Sequence, residues 1–301
     1  MPNKGGALMS QPSRKRIRLF PSAHEDAVSA KKYVESAQCE SSSYKLAYQD
    51  DEFLLRDELR PVRLQLELLK PELIQHEAGI ESTIVIFGSA RTPDPETAKQ
   101  NLQSLQKEAK EKKNNPEILQ KLRRAKRAVE NSNYYNEARE LGRLISVNTE
   151  FDKLVVVTGG GPGIMEASNR GAFESGAQSI GMNIVLPFEQ QPNPYITPEL
   201  CFQFHYFAIR KMHLLLRAKS LVAFPGGFGT MDELFETLTL IQTQKIKPMP
   251  VLLFGRTFWE KIINFQALVE EGVISESDLD IFRFVETAEE AWKIIAKTNG
   301  V

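Results

Sequence analysis

The chain has 301 residues, 42% of them hydrophobic, which suits one large domain or one domain with an extension. A formal net charge of −1 argues against a globally basic nucleic-acid binder. Cys39 and Cys201 form no CxxC pair, and His24, His76, His205 and His213 show no metal-ligand spacing, so neither a disulfide framework nor a metal site is expected. No apolar run is long enough to span a membrane, and the polar N-terminus lacks a signal-peptide core. The expectation is a cytoplasmic protein without a membrane or nucleic-acid partner.

Residues 1–50 are rich in Ser, Lys, Arg and Ala and read as a mobile polar tail. Its basic cluster, Lys15-Arg16-Ile17-Arg18, reads as solvated. Residues 51–80 read as a helical extension, with Leu59, Leu66 and Leu69 recurring beside Val62. Pro61 suits a first helical turn, whereas Pro71 is expected to break or restart the helix.

Residues 81–301 read as the main domain. It opens on the buried-strand pattern Thr83 to Phe87, ending in Gly88-Ser89-Ala90-Arg91. A charged insertion follows at about 94–130, read as an exposed helical hairpin broken near Asn114-Asn115-Pro116. Between Leu105 and Glu130 it carries nine basic and four acidic residues. The stripe Lys121 to Arg127 could bind phosphate, but a solvated face is the expected role.

Regular alternation begins at Tyr134. A helix to about Thr149 precedes a strand at Leu154 to Thr158, the turn Gly159 to Gly163, and a helix to about Ser175. A strand from Ser179 to Leu186 leads into a loop with four prolines, then a helix from about Phe207 to Lys219 and a strand from Ser220 to Phe224. The turn Pro225 to Gly229 opens a helix from about Thr230 to Thr243. A strand at Val251 to Phe254, a helix at Phe258 to Glu271, a strand at Phe282 to Val285 and a helix at Ala288 to Ala296 complete the pattern. Strands and helices alternating in this way imply an α/β fold with a doubly wound, mostly parallel, Rossmann-like sheet.

In such sheets ligands sit beyond the carboxyl ends of the strands. Three glycine-bearing turns fall there: Gly88-Ser89, Gly159 to Gly163 and Gly226 to Gly229. Ser89 can donate its hydroxyl and Arg91 can reach a phosphate or ribose. Gly160, Gly161 and Gly163 open a helix carrying Glu166. Gly226, Gly227 and Gly229 open one carrying Thr230 and Glu233. Asp232 and Glu233 also suit a first helical turn as such, Glu233 as capping-box partner of Thr230.

Other sites fit less well. Gly161-Pro162-Gly163-Ile164-Met165-Glu166 places Glu where a dinucleotide fold wants Gly or Ala, and no acid ends the next strand. GxxxxGK[ST] and GxSxG are absent. Arg210 and Lys211, near the start of their helix, are expected on the ligand side.

The run GGGPGIMEASNRGA between Val156 and Ala172, the Arg210-Lys211 pair within Phe207 to Met212, and PGGFGTMDE at Pro225 to Glu233 resemble the Lonely Guy (LOG) family. The likeness covers about Thr83 to Ala296, and the longer chain is similar to larger bacterial members, some labelled AMP nucleosidase. It implies a phosphoribohydrolase that cleaves the N-glycosidic bond of a purine nucleoside 5′-monophosphate, AMP or a cytokinin riboside 5′-monophosphate. The products are a free base and ribose 5-phosphate. By position it implies catalytic roles for Glu233 and Arg210, and substrate binding by Lys211, Gly226 to Thr230 and, more weakly, Thr239. It also implies a homo-oligomer, dimer or higher, with no cofactor and no metal.

The family's other name, possible lysine decarboxylase, fits poorly. That reaction wants pyridoxal phosphate on a Schiff-base lysine, whereas Lys211 and Lys219 read as helix residues. A non-catalytic mononucleotide-binding regulator is the alternative, and a carboxylate beside the anion site argues against it. A third reading, partner or nucleic-acid binding through the tail and the 94–130 helices, rests on their basic residues alone.

Overall fold

A computed structural model describes residues 20–30, 36–112, 115–147, 154–187 and 191–300. The Lys15 to Arg18 cluster and the expected helix end at 148–149 lie outside the described residues. The chain divides into two compact units, Met1–Arg63 and Leu64–Val301. In the first, helices α1 (Ala23–Ser29), α2 (Ala37–Glu40) and α3 (Asp51–Leu54) each start at a side-chain cap, from Ser22, Ser36 and Asp50. These caps satisfy N–H groups that a helix start leaves without partners.

Helix α4 (Arg60–Glu77) carries residues of both units. It runs through Pro71 without a break, contrary to the sequence expectation. An interior proline costs about 3 kcal/mol. Tertiary anchoring of the later turns opposes that cost: Glu72 makes a two-point ion pair with Arg217 at 2.7 and 2.8 Å, and Gln75 is buried, donating to the Pro71 carbonyl.

The second unit is built on β1 (Ser82–Phe87), which is buried along its whole length. The insertion forms α5 (Pro95–Glu111) and α6 (Pro116–Asn131), capped by Asp94 and Asn115 with proline in each first turn. Helix α7 (Asn133–Val147), β2 (Leu154–Thr158), α8 (Ile164–Glu174) and β3 (Ser179–Ile184) follow. After the proline loop comes β4 (Cys201–Phe204), a strand the sequence reading placed in the loop. Next are α9 (Phe207–Leu216), β5 (Ala218–Ala223) and α10 (Phe228–Gln242). Lys219 is therefore a strand residue rather than a helix residue. Thr83 donates to the Arg217 carbonyl and pairs with Ala218, which pulls the strand start forward.

Strand β6 (Val251–Phe254) leads to α11 (Arg256–Ile262) and α12 (Phe265–Glu270) in place of one continuous helix. Asn264 divides them, its side chain accepting from the Ala267 N–H as a new N-cap. The chain ends with β7 (Phe282–Val285) and α13 (Ala288–Asn299).

The sheet order is β4-β3-β2-β1-β5-β6-β7, every pairing parallel. This is the α/β, doubly wound, Rossmann-like arrangement expected. Alternate residues serve opposite faces, as the period of two requires. Val85 and Phe87 join a core with Leu214, Leu234 and Trp259, while Ile84 and Ile86 join one with Leu141, Ala167 and Ala291. Helices cover both faces, so the central β1, β2 and β6 read as near-continuous apolar runs. Successive strands step away from β1 on one side and then restart at β5 on the other. The switch point therefore lies between the ends of β1 and β5, where Ser89 N–H donates to the Pro225 carbonyl at 3.0 Å.

Candidate active site

A cavity of about 1360 Å³ opens at this switch point. The turn after β1, the turn after β2, the start of α9 and the turn into α10 all line it, together with the insertion helices α5 and α6. Of the site residues expected from sequence, Ser89, Arg91, Gly161, Arg210, Gly226, Gly227, Gly229, Thr230 and Glu233 line the cavity. Gly160, Gly163, Glu166, Lys211 and Thr239 do not.

The turn into α10 is open. Gly227 is the N-cap, with no side-chain cap, and Gly227, Phe228 and Gly229 are exposed. Thr230 is the third helical residue, so it is not the cap and the expected capping box with Glu233 does not form. The Thr230 side chain instead packs under Gly226, where a Cβ would collide with its hydroxyl. A side chain at Gly226 would displace the turn. The first turn of a helix leaves N–H groups without intrahelical partners, and Phe228, Gly229 and Thr230 border the cavity.

One turn further, Glu233 is 4% exposed. Burial raises its pKa to about 7, although Arg210 and Lys211 pull it back down. Among the described residues no hydrogen bond reaches its carboxylate. Arg210, also buried, donates from Nε to the Met182 carbonyl at 2.9 Å. Its guanidinium lies 5.9 Å from the ring centres of both Phe87 and Phe207. Burial pulls its pKa below the usual arginine value, against the attraction of Glu233 and Asp232.

Lys211 turns the other way. It pairs with Asp232 at 3.0 Å and Glu236 at 3.1 Å, tying α9 to α10. Burial lowers its pKa, but the two carboxylates outweigh burial and leave it raised. Thr239 donates to the Phe235 carbonyl and lines a separate shallow depression on the outer side of α10.

Sequence reasoning missed the groups that hold these parts. Glu67 of α4 accepts from the His205 and Tyr206 N–H groups at 2.7 and 3.1 Å, securing the start of α9 and so the placement of Arg210. Asn193, from the proline loop, donates to the Gly160 and Gly161 carbonyls and to Asn169. Thr158 accepts from the Gly160 N–H at 3.0 Å. Gly163 has φ +72°, and a Cβ there would strike the Ser89 carbonyl, so glycine is required for this turn to reach the β1 turn. Glu166 accepts from the Tyr135 hydroxyl at 2.8 Å. No local motif marks Glu67, Asn193 or Tyr135, since each comes from a part of the chain distant from the group it holds.

Among the described residues no group of three or more His, Cys, Asp or Glu could hold a metal, and no helix is long and apolar enough to cross a membrane. What the cavity offers is an open, uncapped helix start beside a buried carboxyl whose pKa is raised to about 7. A guanidinium stands next to that carboxyl. Such a set can bind a phosphorylated ligand and stabilise positive charge or move a proton at a neighbouring atom.

A family model described as possible lysine decarboxylase matches residues 165–295. Cytokinin riboside 5′-monophosphate phosphoribohydrolase LOG1 of Arabidopsis thaliana is 32% identical over 166 residues, covering 53% of this chain and 74% of the relative. LOG3 of the same plant is 30% identical over 168 residues, covering 54% and 74%. A molybdenum cofactor carrier protein from Chlamydomonas reinhardtii is similar over 73% of this chain and 99% of its own, at 19% identity and a TM-score of 0.44. A likeness at that level adds nothing to the parallel sheet already described.

Proposed function

This chain belongs to the Lonely Guy (LOG) family, and on that premise we propose that it is a nucleoside 5′-monophosphate phosphoribohydrolase. Its substrate is a purine nucleotide, AMP or a cytokinin riboside 5′-monophosphate. The observation that carries this reading is the burial of Glu233 in the cavity that the open turn at Gly226 to Thr230 borders.

The reaction adds water across the bond between C1′ and the purine nitrogen. The base leaves with the bonding electron pair and gains one proton; the water oxygen ends on C1′ with the other, giving ribose 5-phosphate. The α10 turn takes the 5′-phosphate through its backbone N–H groups and the helix dipole. That places the ribose over Glu233. As the bond stretches, positive charge gathers on the ribose ring. The Glu233 carboxylate stabilises that charge and accepts a proton from the attacking water. With a pKa of about 7 it is a far better base than an ordinary carboxylate while still substantially ionised at neutral pH. Arg210 favours the ionised form of Glu233 and supplies positive charge to the departing base or the phosphate.

Lysine decarboxylation is less well supported. Lys211, the lysine next to Arg210, is held by two carboxylates and does not line the cavity. In this reading the catalytic domain is residues 81–301, with 51–80 as a helical extension. The enzyme works as a homo-oligomer; Phe228, 92% exposed beside the cavity, and half-exposed Phe207 support a covering second copy. The free Cys39 and Cys201 suit a cytoplasmic setting.

The test is incubation with AMP and, separately, with N6-isopentenyladenosine 5′-monophosphate, with chromatography of the products. Free base accompanied by ribose 5-phosphate is the expected result, and the ratio of rates identifies the preferred base. Intact nucleotide in both incubations, with AMP still raising Tm, would replace the enzyme by a nucleotide-binding regulator.

A further inference from the structure

The insertion is the part of the cavity that the hydrolysis reading leaves unused. Helix α6 was expected to present a solvated basic face. That face is exposed as expected, and on it Lys121, Arg124 and Arg127, spaced along one side of the helix, also border the cavity, as does Arg91 from the β1 turn. Ala125 lies among the α6 cations and is buried, so the long side chains have room over it. From α5, Asn101 and Ser104 add neutral polar groups to the same wall.

The charge on this wall is not balanced. Asp232 and Glu233 are the acidic residues among those lining the cavity. Asp232 is paired with Lys211, and Glu233 is under the influence of Arg210. Arg127 is taken by Glu130 at 2.6 Å. Arg91, Lys121 and Arg124 have no ion pair among the described residues. Three uncompensated cations in a concave site focus positive potential and favour a multiply charged anion. The cavity of about 1360 Å³ also exceeds the roughly 300–1,000 Å³ of ordinary small-molecule sites. One mononucleotide on the α10 turn leaves space at the α6 wall.

We propose that Lys121 and Arg124, with Arg91 beside them, form a second anion subsite that binds a phosphoryl group other than the substrate's 5′-phosphate. This rests on the reading of the cavity as a nucleotide site. The group comes either from a second phosphate on the nucleotide itself or from a separate phosphate compound bound alongside it. Its recognition is electrostatic and multidentate, since Arg presents a planar fork and Lys a point charge.

The experiment is calorimetric titration of the full chain, in the Glu233→Gln background so that nucleotide is bound and not consumed, at fixed ionic strength. Inorganic pyrophosphate is titrated with AMP saturating, into protein with and without Lys121→Gln and Arg124→Gln. Both positions are exposed, so the substitutions leave the fold intact; melting curves check this. The expected result is one pyrophosphate per chain in the presence of AMP. Its Kd should rise tenfold or more in the double substitution while the AMP Kd changes less than twofold.

A second arm compares AMP with adenosine 3′,5′-bisphosphate. Tighter bisphosphate binding that disappears in the double substitution assigns the phosphoryl group to the nucleotide. Equal binding of the two, with the pyrophosphate effect intact, assigns it to a separate anion. Pyrophosphate that AMP displaces fully, or that binds equally well to the double substitution, overturns the subsite. Absence of base release from AMP by the unsubstituted protein would overturn the hydrolase and leave the pyrophosphate result readable on its own.

Discussion

The two glycine turns that follow β2 and β5 share a layout in sequence: strand, glycines, helix, acid. Their structures diverge. The turn at Gly159 to Gly163 is closed by side chains, with Asn193 and Thr158 satisfying its backbone groups and Tyr135 engaging its acid, Glu166. The turn at Gly226 to Gly229 is left open, with no side-chain cap, and its acid Glu233 is buried, its carboxylate without a hydrogen bond among the described residues. Satisfied polar groups build a rigid frame, and unsatisfied ones are held ready for a ligand. One turn is therefore scaffold and the other is site.

The sharpest way to break this comparison is Glu233→Gln. Removing a general base or charge stabiliser costs about 10²–10⁴ in rate, so kcat should fall about a thousandfold with the fold retained. Steady-state kinetics and a melting curve check it together.

Next comes the pH dependence of stability. The Glu233 pKa is raised from 4.5 to about 7, so over that window the native state binds a proton more tightly than the unfolded one. Stability should therefore fall as pH rises from 4.5 to 7, and the loss should be complete above that, on the order of 3 kcal/mol. In Glu233→Gln that component disappears. Denaturant unfolding of the two proteins at pH 5 and 8 reads the difference, and an equal change in both would show that burial does not perturb this carboxyl.

Arg210→Lys should lower kcat/KM about a hundredfold, because Lys lacks the planar fork that serves the Met182 carbonyl and the cavity at once. The smallest effect is expected from Glu166→Gln. Glutamine still accepts from Tyr135, so turnover should stay within twofold and stability should fall by less than about 1 kcal/mol. Loss of turnover comparable to that of Glu233→Gln would mean that both turns belong to the site.

Strands β1, β2 and β6 were legible because a strand buried on both faces is a near-continuous apolar run, as in the consecutive Val155, Val156 and Val157 of β2. Strand β4 was not, since it is a four-residue edge strand following a proline-rich loop, too short for the alternation of buried Phe202 and Phe204 with exposed Gln203 to stand out. Asn264 hid the division between α11 and α12 because a cap residue looks like any polar residue until the helix start is known. Pro71 misled in the opposite sense, as local propensity yielded to the anchoring of α4. The open turn, Glu233 and Arg210 were visible as a motif. Glu67, which secures the start of the helix carrying Arg210, and Asn193 and Tyr135, which hold the turn after β2, act across long stretches of chain and leave no periodic trace.

The pairing of β1 with β5 has a kinetic consequence. It joins Thr83 to Phe87 with Ala218 to Ala223, and the nearby bond from Arg217 to the Ile80 carbonyl spans 137 positions. Closing so long a loop is slow compared with forming a helix. The cavity, which lies across that seam, comes into being only after most of the chain has collapsed around it. On refolding from denaturant, helical signal should return well before any enzymatic signal, so recovery of activity would clock the closing of the sheet.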